Sequence, residues 1–167
     1  SWAPSGGTGA TASGLAAGNY TCTITDANVC QITRTFTITQ STALTAGTSQ
    51  TNVSCNGGSN GSATVTPSGG AGSYTYSWAP SGGTGASATG LAAGSYTCTI
   101  TDANSCQITR TFTLTQPPAL TLTAASQTNI SCNGGSNGAA SVNVATGGAG
   151  GYTYNWTPGN PTGDGTV

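Results

Sequence analysis

The stretch from Leu91 to Gln116, LAAGSYTCTITDANSCQITRTFTLTQ, leaves few folds open to this chain. Tyr96, Cys98 and Ile100 alternate with Thr97, Thr99 and Thr101; further on, Ile108, Phe112 and Leu114 alternate with Thr109, Thr111 and Thr113. Alternation with period two, carried by threonine, aromatic and β-branched residues, is the pattern of strands with one buried and one solvated face. Asp102-Ala103-Asn104-Ser105 separates the two runs. Asp and Asn favour turns because their side chains bond to nearby backbone and tolerate left-handed geometry. The stretch therefore reads as a β-hairpin with one apolar face. A lone hairpin is marginal until further strands cover that face.

The hairpin occurs twice, because Leu15 to Gln40 differs from it only at Asn19, Val29 and Ile38. Ser1–Gln40 and Ser77–Gln116 align without gaps at an offset of 76, with 35 of 40 positions identical. The run Gln50 to Gly58 (QTNVSCNGG) returns as Gln127 to Gly135 at an offset of 77, and Trp78 returns as Trp156 at 78. The chain is thus a tandem array with a period of 76 to 78 residues, which overrides a domain count based on its 167 residues. In phase, residues 1–40 are the second half of one unit, 41–118 a complete unit with its linkers, and 119–167 the first half of a third. Ser41-Thr42 and Pro117-Pro118 mark the boundaries, since proline cannot continue a paired central strand.

Within the complete unit, Leu44–Val53 reads as a poorly patterned first strand and Asn56–Gly61 as a turn. Ser62–Pro67 is the second strand, and Tyr74–Trp78 the third, with Tyr74, Tyr76 and Trp78 on one face. Residues 80–90 hold one or two weak edge strands, and the hairpin supplies the last two. The expectation is an all-β fold of tandem small immunoglobulin-like antiparallel β-sandwich repeats of about 76–78 residues. Leu91-x-x-Gly94-x-Tyr96-x-Cys98 looks like the corner before strand F, where a tyrosine hydroxyl bonds back to upstream backbone. Trp78 stands where strand C carries its core tryptophan. Val65 falls near the place of the first cysteine of an antibody domain, which leaves Cys98 without the usual inter-sheet partner. The expected core is Trp78, Tyr76, Tyr96, Ile100, Ile108, Phe112 and Leu114, with their repeat counterparts.

Charge narrows the function. Two Arg and three Asp, with no Lys, Glu or His, make 3% of the chain charged, where an ordinary domain has about 25%. Nothing here forms a basic footprint for nucleic acid. No apolar run approaches the roughly 18 residues of a membrane span. General acid–base chemistry needs a titratable group at the reacting atom. Asp26 and Asp102 are equivalent turn residues, Asp164 lies in the final segment, and a cysteine nucleophile would lack its histidine base. Neither catalysis nor a cofactor is expected. The N-G-G-S-N-G turns contain no carboxylate, so calcium is not expected either. Arg34 and Arg110 share parity with the apolar residues and point either inward at a sheet end or outward through a local bulge. The columns Thr21, Thr23, Thr25 and Thr33, Thr35, Thr37 read as solvated strand faces, with glycosylation or subunit packing as the alternatives. Asn19, Asn52, Asn60, Asn129 and Asn155 stand in N-x-S/T triplets, which chance largely explains in so Ser/Thr-rich a chain.

The six cysteines, Cys22, Cys30, Cys55, Cys98, Cys106 and Cys132, form no C-x-x-C pair. Zinc without histidine would need four converging thiolates, which this spacing disfavours. Disulfides in an exported protein are the better reading.

The runs VSCNGGSNGS, SGGAGSYTYSW, GLAAGSYTCTITDANSC and TFTLTQP together resemble the SprB-type repeat of very large Bacteroidetes surface proteins, including gliding-motility adhesins. The resemblance extends over the complete unit and both partial ones. It implies an exported, immunoglobulin-like repeat in a long cell-surface adhesin or filament, and, taken with the residues above, the chain reads as a non-catalytic structural segment. Because a half-unit leaves an apolar face uncovered, the expected partner is the same polypeptide continuing along a fibre, or other copies through self-association or strand exchange. In that family, cysteines in the positions of Cys55 and Cys106 commonly occur together, while valine usually stands at Cys22 and Cys98. Two pairings stay open: Cys55 with Cys106 inside one unit, or a bridge between units if the two turns lie at opposite poles. The competing class is a carbohydrate-binding or other ligand-binding module. It would require Tyr74, Tyr76 and Trp78 to face solvent as a stacking platform.

Overall fold

Threonine-rich alternation gives strands throughout, and among the described residues no helix forms. The computed structural model describes residues 1–4 and 7–157. Its strands are β1 (Trp2–Ala3), β2 (Gly18–Thr25), β3 (Gln31–Ile38), β4 (Thr45–Thr51), β5 (Gly61–Ser68), β6 (Thr75–Ala79), β7 (Ser87–Leu91), β8 (Gly94–Thr101), β9 (Gln107–Leu114), β10 (Ala124–Thr128) and β11 (Ala139–Val142).

Strands β4 to β9 make two three-stranded antiparallel sheets, ordered β4-β5-β7 and β6-β8-β9. These correspond to A-B-E and C-F-G of an immunoglobulin-type sandwich, without strand D. The β8–β9 register sets apolar against apolar (Tyr96 with Phe112, Ile100 with Ile108) and hydroxyl against hydroxyl (Thr97 with Thr111, Thr99 with Thr109). A slip of one residue would turn every apolar side chain outward, so the sequence pattern enforces the pairing.

Between the sheets, Trp78, Tyr96, Ile100, Phe112 and Leu114 are buried, and Tyr76 and Ile108 pack half-buried against them. The Trp78 and Phe112 rings meet at 5.4 Å, and the indole Nε1 donates to the Gly85 carbonyl at 2.9 Å. The Tyr96 hydroxyl donates to the Ala92 carbonyl at 3.2 Å, which fixes the corner into β8. Ala63, Val65, Ala88, Leu91 and Cys98 complete the core. Small residues on β5 and β7 let the aromatic residues of the other sheet approach. At Gly61 an added Cβ would lie 2.5 Å from Leu114 Cδ2 and 2.8 Å from the Leu91 carbonyl oxygen.

The sandwich is closed along the β4–β9 edge. Val53 N–H donates to the Thr115 carbonyl at 2.9 Å, Thr115 N–H to Asn52 Oδ1 at 3.1 Å, and Gln50 Nε2 to the Thr113 carbonyl at 2.9 Å. Arg110, left undecided between inward and outward by its parity, reaches across to the other sheet: its Nε donates to the Ala46 carbonyl at 3.0 Å.

In residues 1–40, β1, β2 and β3 repeat the β6-β8-β9 sheet in the same register, with Tyr20 opposite Phe36 and Ile24 opposite Ile32. Among the described residues no second sheet lies over it. Ile24 is 60% exposed and Phe36 47%, whereas their counterparts Ile100 and Phe112 are 0% and 3% exposed. Strands β10 and β11 pair in the register of β4 and β5 over Ser126–Thr128, with a register shift between Ala124 and Ser126. There, Ile130 is exposed where Val53 of the central unit is buried.

Truncating Ile100 to Ala is expected to lower the stability of the central unit by about 2–5 kcal/mol, the range for an aliphatic side chain deleted from a packed core. Thr111→Ala, on the exposed outer face, should stay within about 0.5 kcal/mol. Urea denaturation followed by tryptophan fluorescence measures both.

Candidate functional site

The chemistry-bearing side chains of the central unit gather at its two ends. One pole holds the β8–β9 turn and the β5–β6 loop. Asp102 Oδ1 accepts the N–H groups of Asn104 and Cys106, both at 2.9 Å, which builds the turn. Its second oxygen, Oδ2, accepts the Ala71 N–H from the β5–β6 loop at 2.9 Å. Ala103 N–H reinforces that link by donating to the Gly72 carbonyl at 3.1 Å. Gly70 is required at this approach, because its φ is +61° and a Cβ there would come 2.6 Å from Asp102 Oδ2. Asp102 is thus a clamp between loops as well as a turn residue. The Ala71 amide, opposed by burial and joined by the Cys106 and Asn104 amides, holds its carboxyl below the usual carboxylate range. Asp26, its counterpart, makes the two turn bonds, from Asn28 N–H at 2.9 Å and Cys30 N–H at 2.8 Å. The Ala71 bond joins residues 31 apart in the chain, so no local pattern announces it. Asp164 lies outside the described residues.

The opposite pole holds the β4–β5 turn. Asn60 locks it, accepting the Ser54 N–H at 3.1 Å and donating to Ser54 Oγ at 2.6 Å. The turn then grips the linker: Asn56 Nδ2 donates to the Pro117 carbonyl at 3.1 Å, and Gly57 N–H to Gln116 Oε1 at 2.8 Å. From the other side, Gly148 N–H donates to the Pro118 carbonyl at 2.9 Å, as Gly70 N–H does to the Thr42 carbonyl at 2.8 Å. Three successive linker residues are therefore held, two by the preceding unit and one by the following.

All six cysteines are unpaired: Cys98 is buried, Cys22 half-buried, and Cys30, Cys55, Cys106 and Cys132 exposed. Cys98 faces Trp78 across the β6–β8 ladder, and burial pushes its thiol up. Pairing of Cys55 with Cys106 inside one unit does not survive the topology. Cys106 immediately precedes β9, while the Cys55 turn is bonded to Gln116 and Pro117 beyond its far end. Eight residues of strand separate the two by about 25 Å, against a Cα separation of at most about 7 Å in a disulfide.

The aromatic residues of β6 offer no stacking platform. Trp78 is 7% exposed with its N–H engaged, and the Tyr74 hydroxyl donates to the Gly69 carbonyl at 2.6 Å. Among the described residues, no three Cys or Asp side chains converge.

Because the folded-state pKa of Asp102 is depressed, its carboxylate contributes stability fully above its unfolded value of about 3.8 and loses it as the pH falls through the folded value. The unfolding midpoint should therefore drop below about pH 4, and Asp102→Asn should lower the midpoint at pH 7 while flattening that acid limb. Thermal unfolding between pH 2 and 7 measures both effects. In reduced protein, Cys55 and Cys106 should alkylate rapidly and Cys98 only on unfolding, as read by mass spectrometry of timed samples.

The SprB repeat family matches the chain at residues 47–83 and 124–161. Both matches cover the half-unit that carries the cysteine turn and the Gly-Gly-Ala-Gly loop. The hairpin 91–116 and its copy 15–40 lie outside them, so the match is narrower than the resemblance expected over the complete unit and both partial ones. No curated protein and no solved structure matches the chain. The two matched stretches stand 77 residues apart, in step with the internal period, so the likeness to the SprB repeat recurs in tandem along the chain.

Proposed function

We propose that this segment is a stalk: tandem immunoglobulin-like sandwiches forming part of a long extracellular adhesin or surface filament, stabilised by disulfides and without catalysis. The observation that carries the reading is the held linker. Gln116 and Pro117 bond to the unit before and Pro118 to the unit after, so the junction resists bending where a free Gly/Ser linker would flex. SprB repeats are structural repeats associated with cell-surface proteins, in keeping with such a place. The exposed apolar face of β2 and β3 fits a sheet like β4-β5-β7, supplied by the same polypeptide as it continues along the fibre. An outer surface with so little charge offers weak repulsion against lateral association. A ligand-binding module is disfavoured by the burial of Trp78.

Electron imaging of the native surface material, labelled with an antibody to the Leu91–Gln116 hairpin, tests the reading. Label recurring along continuous fibres is expected; label at isolated points, or on a soluble secreted protein, would overturn it. At the junction, the double variant Asn56→Ala/Gln116→Ala should increase fibre curvature in the same images while leaving the thermal unfolding midpoint of the unit nearly unchanged.

A further inference from the structure

We propose that consecutive repeats are bonded covalently across every junction, the cysteine in the position of Cys55 in one unit joining the cysteine in the position of Cys106 in the next. The inference rests on the stalk reading in requiring the units to continue in one chain.

The two cysteines occupy opposite poles of their own unit, too far apart to meet. In a head-to-tail array, however, the pole bearing Cys55 is the one that faces the following unit. Cys55 lines a cleft together with Pro118 and the loop Gly148-Ala149-Gly150-Gly151 of the third unit. That loop repeats Gly70-Ala71-Gly72-Ser73 of the central unit. In the central unit the loop is fixed to the cysteine turn: the Asp102 carboxylate accepts Ala71 N–H on one oxygen and Cys106 N–H on the other, both at 2.9 Å. The same clamp in a following unit places its Cys106 equivalent beside the loop that walls the cleft at Cys55. The bond Gly148 N–H to Pro118 carbonyl, matched by Gly70 N–H to Thr42 carbonyl, shows that this loop meets the incoming linker alike in both units.

The remaining thiol of each hairpin is excluded. Cys98 is fully buried with Trp78 as its cross-strand neighbour. Cys55, Cys106, Cys30 and Cys132 are all exposed at turns. The bond forms by thiol–disulfide exchange with an oxidised dithiol of the oxidoreductase class. The two cysteine thiols lose two protons and two electrons, one S–S bond forms, and the S–S bond of the oxidant is reduced to two thiols.

The sequence provides its own test. Arginine occurs only at 34 and 110, so trypsin cuts the denatured chain once per repeat. The fragment Thr35–Arg110 contains Cys55 and Cys106 of the same unit. Native surface protein is denatured with an alkylating agent and without reductant, then run uncut and after trypsin. The uncut protein should migrate as one chain, and the digest as a ladder of joined fragments that collapses to single fragments on reduction. Mass spectrometry of the ladder should place the bond between a Cys55-type and a Cys106-type peptide. Single fragments without reduction, from free thiols or from bridges inside a unit, would overturn the proposal. So would a bond through Cys98, or uncut multimers that reduction dissolves. Labelled fibres whose cysteines prove free would sink the bridge alone, whereas a ladder from a soluble secreted protein would sink the stalk alone.

Discussion

Burial between two thin sheets is what the rest of this structure depends on, and the chain displays its effect twice with nearly the same residues. The hairpin at 91–116 lies beneath β4-β5-β7, and Ile100, Phe112 and Leu114 are removed from water. The hairpin at 15–40 has the same strand register but no sheet above it, and Ile24, Ile32 and Phe36 stay largely exposed. Each such side chain is worth roughly 1.5–3 kcal/mol when fully buried. Local pattern therefore settles strand and register, while the stability of the unit comes from the opposing sheet. This is why a hairpin and a half-sheet make sense only as parts of a repeating whole.

A chain with so few charges must close its sandwich by other means. The β4–β9 edge is held by amide side chains, Gln50 and Asn52, on the backbone of the last strand. The β4–β5 turn is held by Asn60. The charges present in the central unit act inward: Arg110 crosses between sheets to the Ala46 carbonyl, and Asp102 binds three backbone amides at 5% exposure. Hydrogen bonds to an ionised group are about twice as strong as neutral ones, so one carboxylate there holds the two loops together. The outer faces keep hydroxyl pairs, such as Thr64 with Ser87 at 2.9 Å, instead of ion pairs.

How much of this was legible in the sequence depends on how far apart the cooperating residues stand. Strands β5, β6, β8 and β9 follow from alternation, and the tyrosine corner and the C-strand tryptophan from short motifs; all are local signals. Strand β7, one residue longer at its end than the weak edge expected over 80–90, shows little alternation because Ser, Ala, Thr and Gly precede its final Leu91. The core contributed by Ala63, Ala88 and Leu91 was missed for a related reason: alanine inside a short polar strand carries no periodic signature, and its burial comes from the large rings opposite. Asp102 was legible as a turn residue, but its grip on Ala71 was not, since period and propensity say nothing about loops that meet in space. The parity of Arg110 was correct and its destination invisible. For the cysteines, spacing gave the residues and topology alone gave their poles.

Those poles carry the last step. The two ends of a unit differ in sequence and in hydrogen-bonding groups, and each is complementary to the opposite end of a neighbour. Contact between unlike surfaces is heterologous and gives the array a direction. The run at 50–58 returns at 127–135, and Gly70 and Gly148 bond alike to the linker residues Thr42 and Pro118, so the groups that meet at a junction recur with the period of the sequence. In quasi-one-dimensional arrays, stability is a sum of unit and nearest-neighbour terms. Here the held linker sets how one unit is joined to the next, while the stability of each unit rests on the burial between its own two sheets.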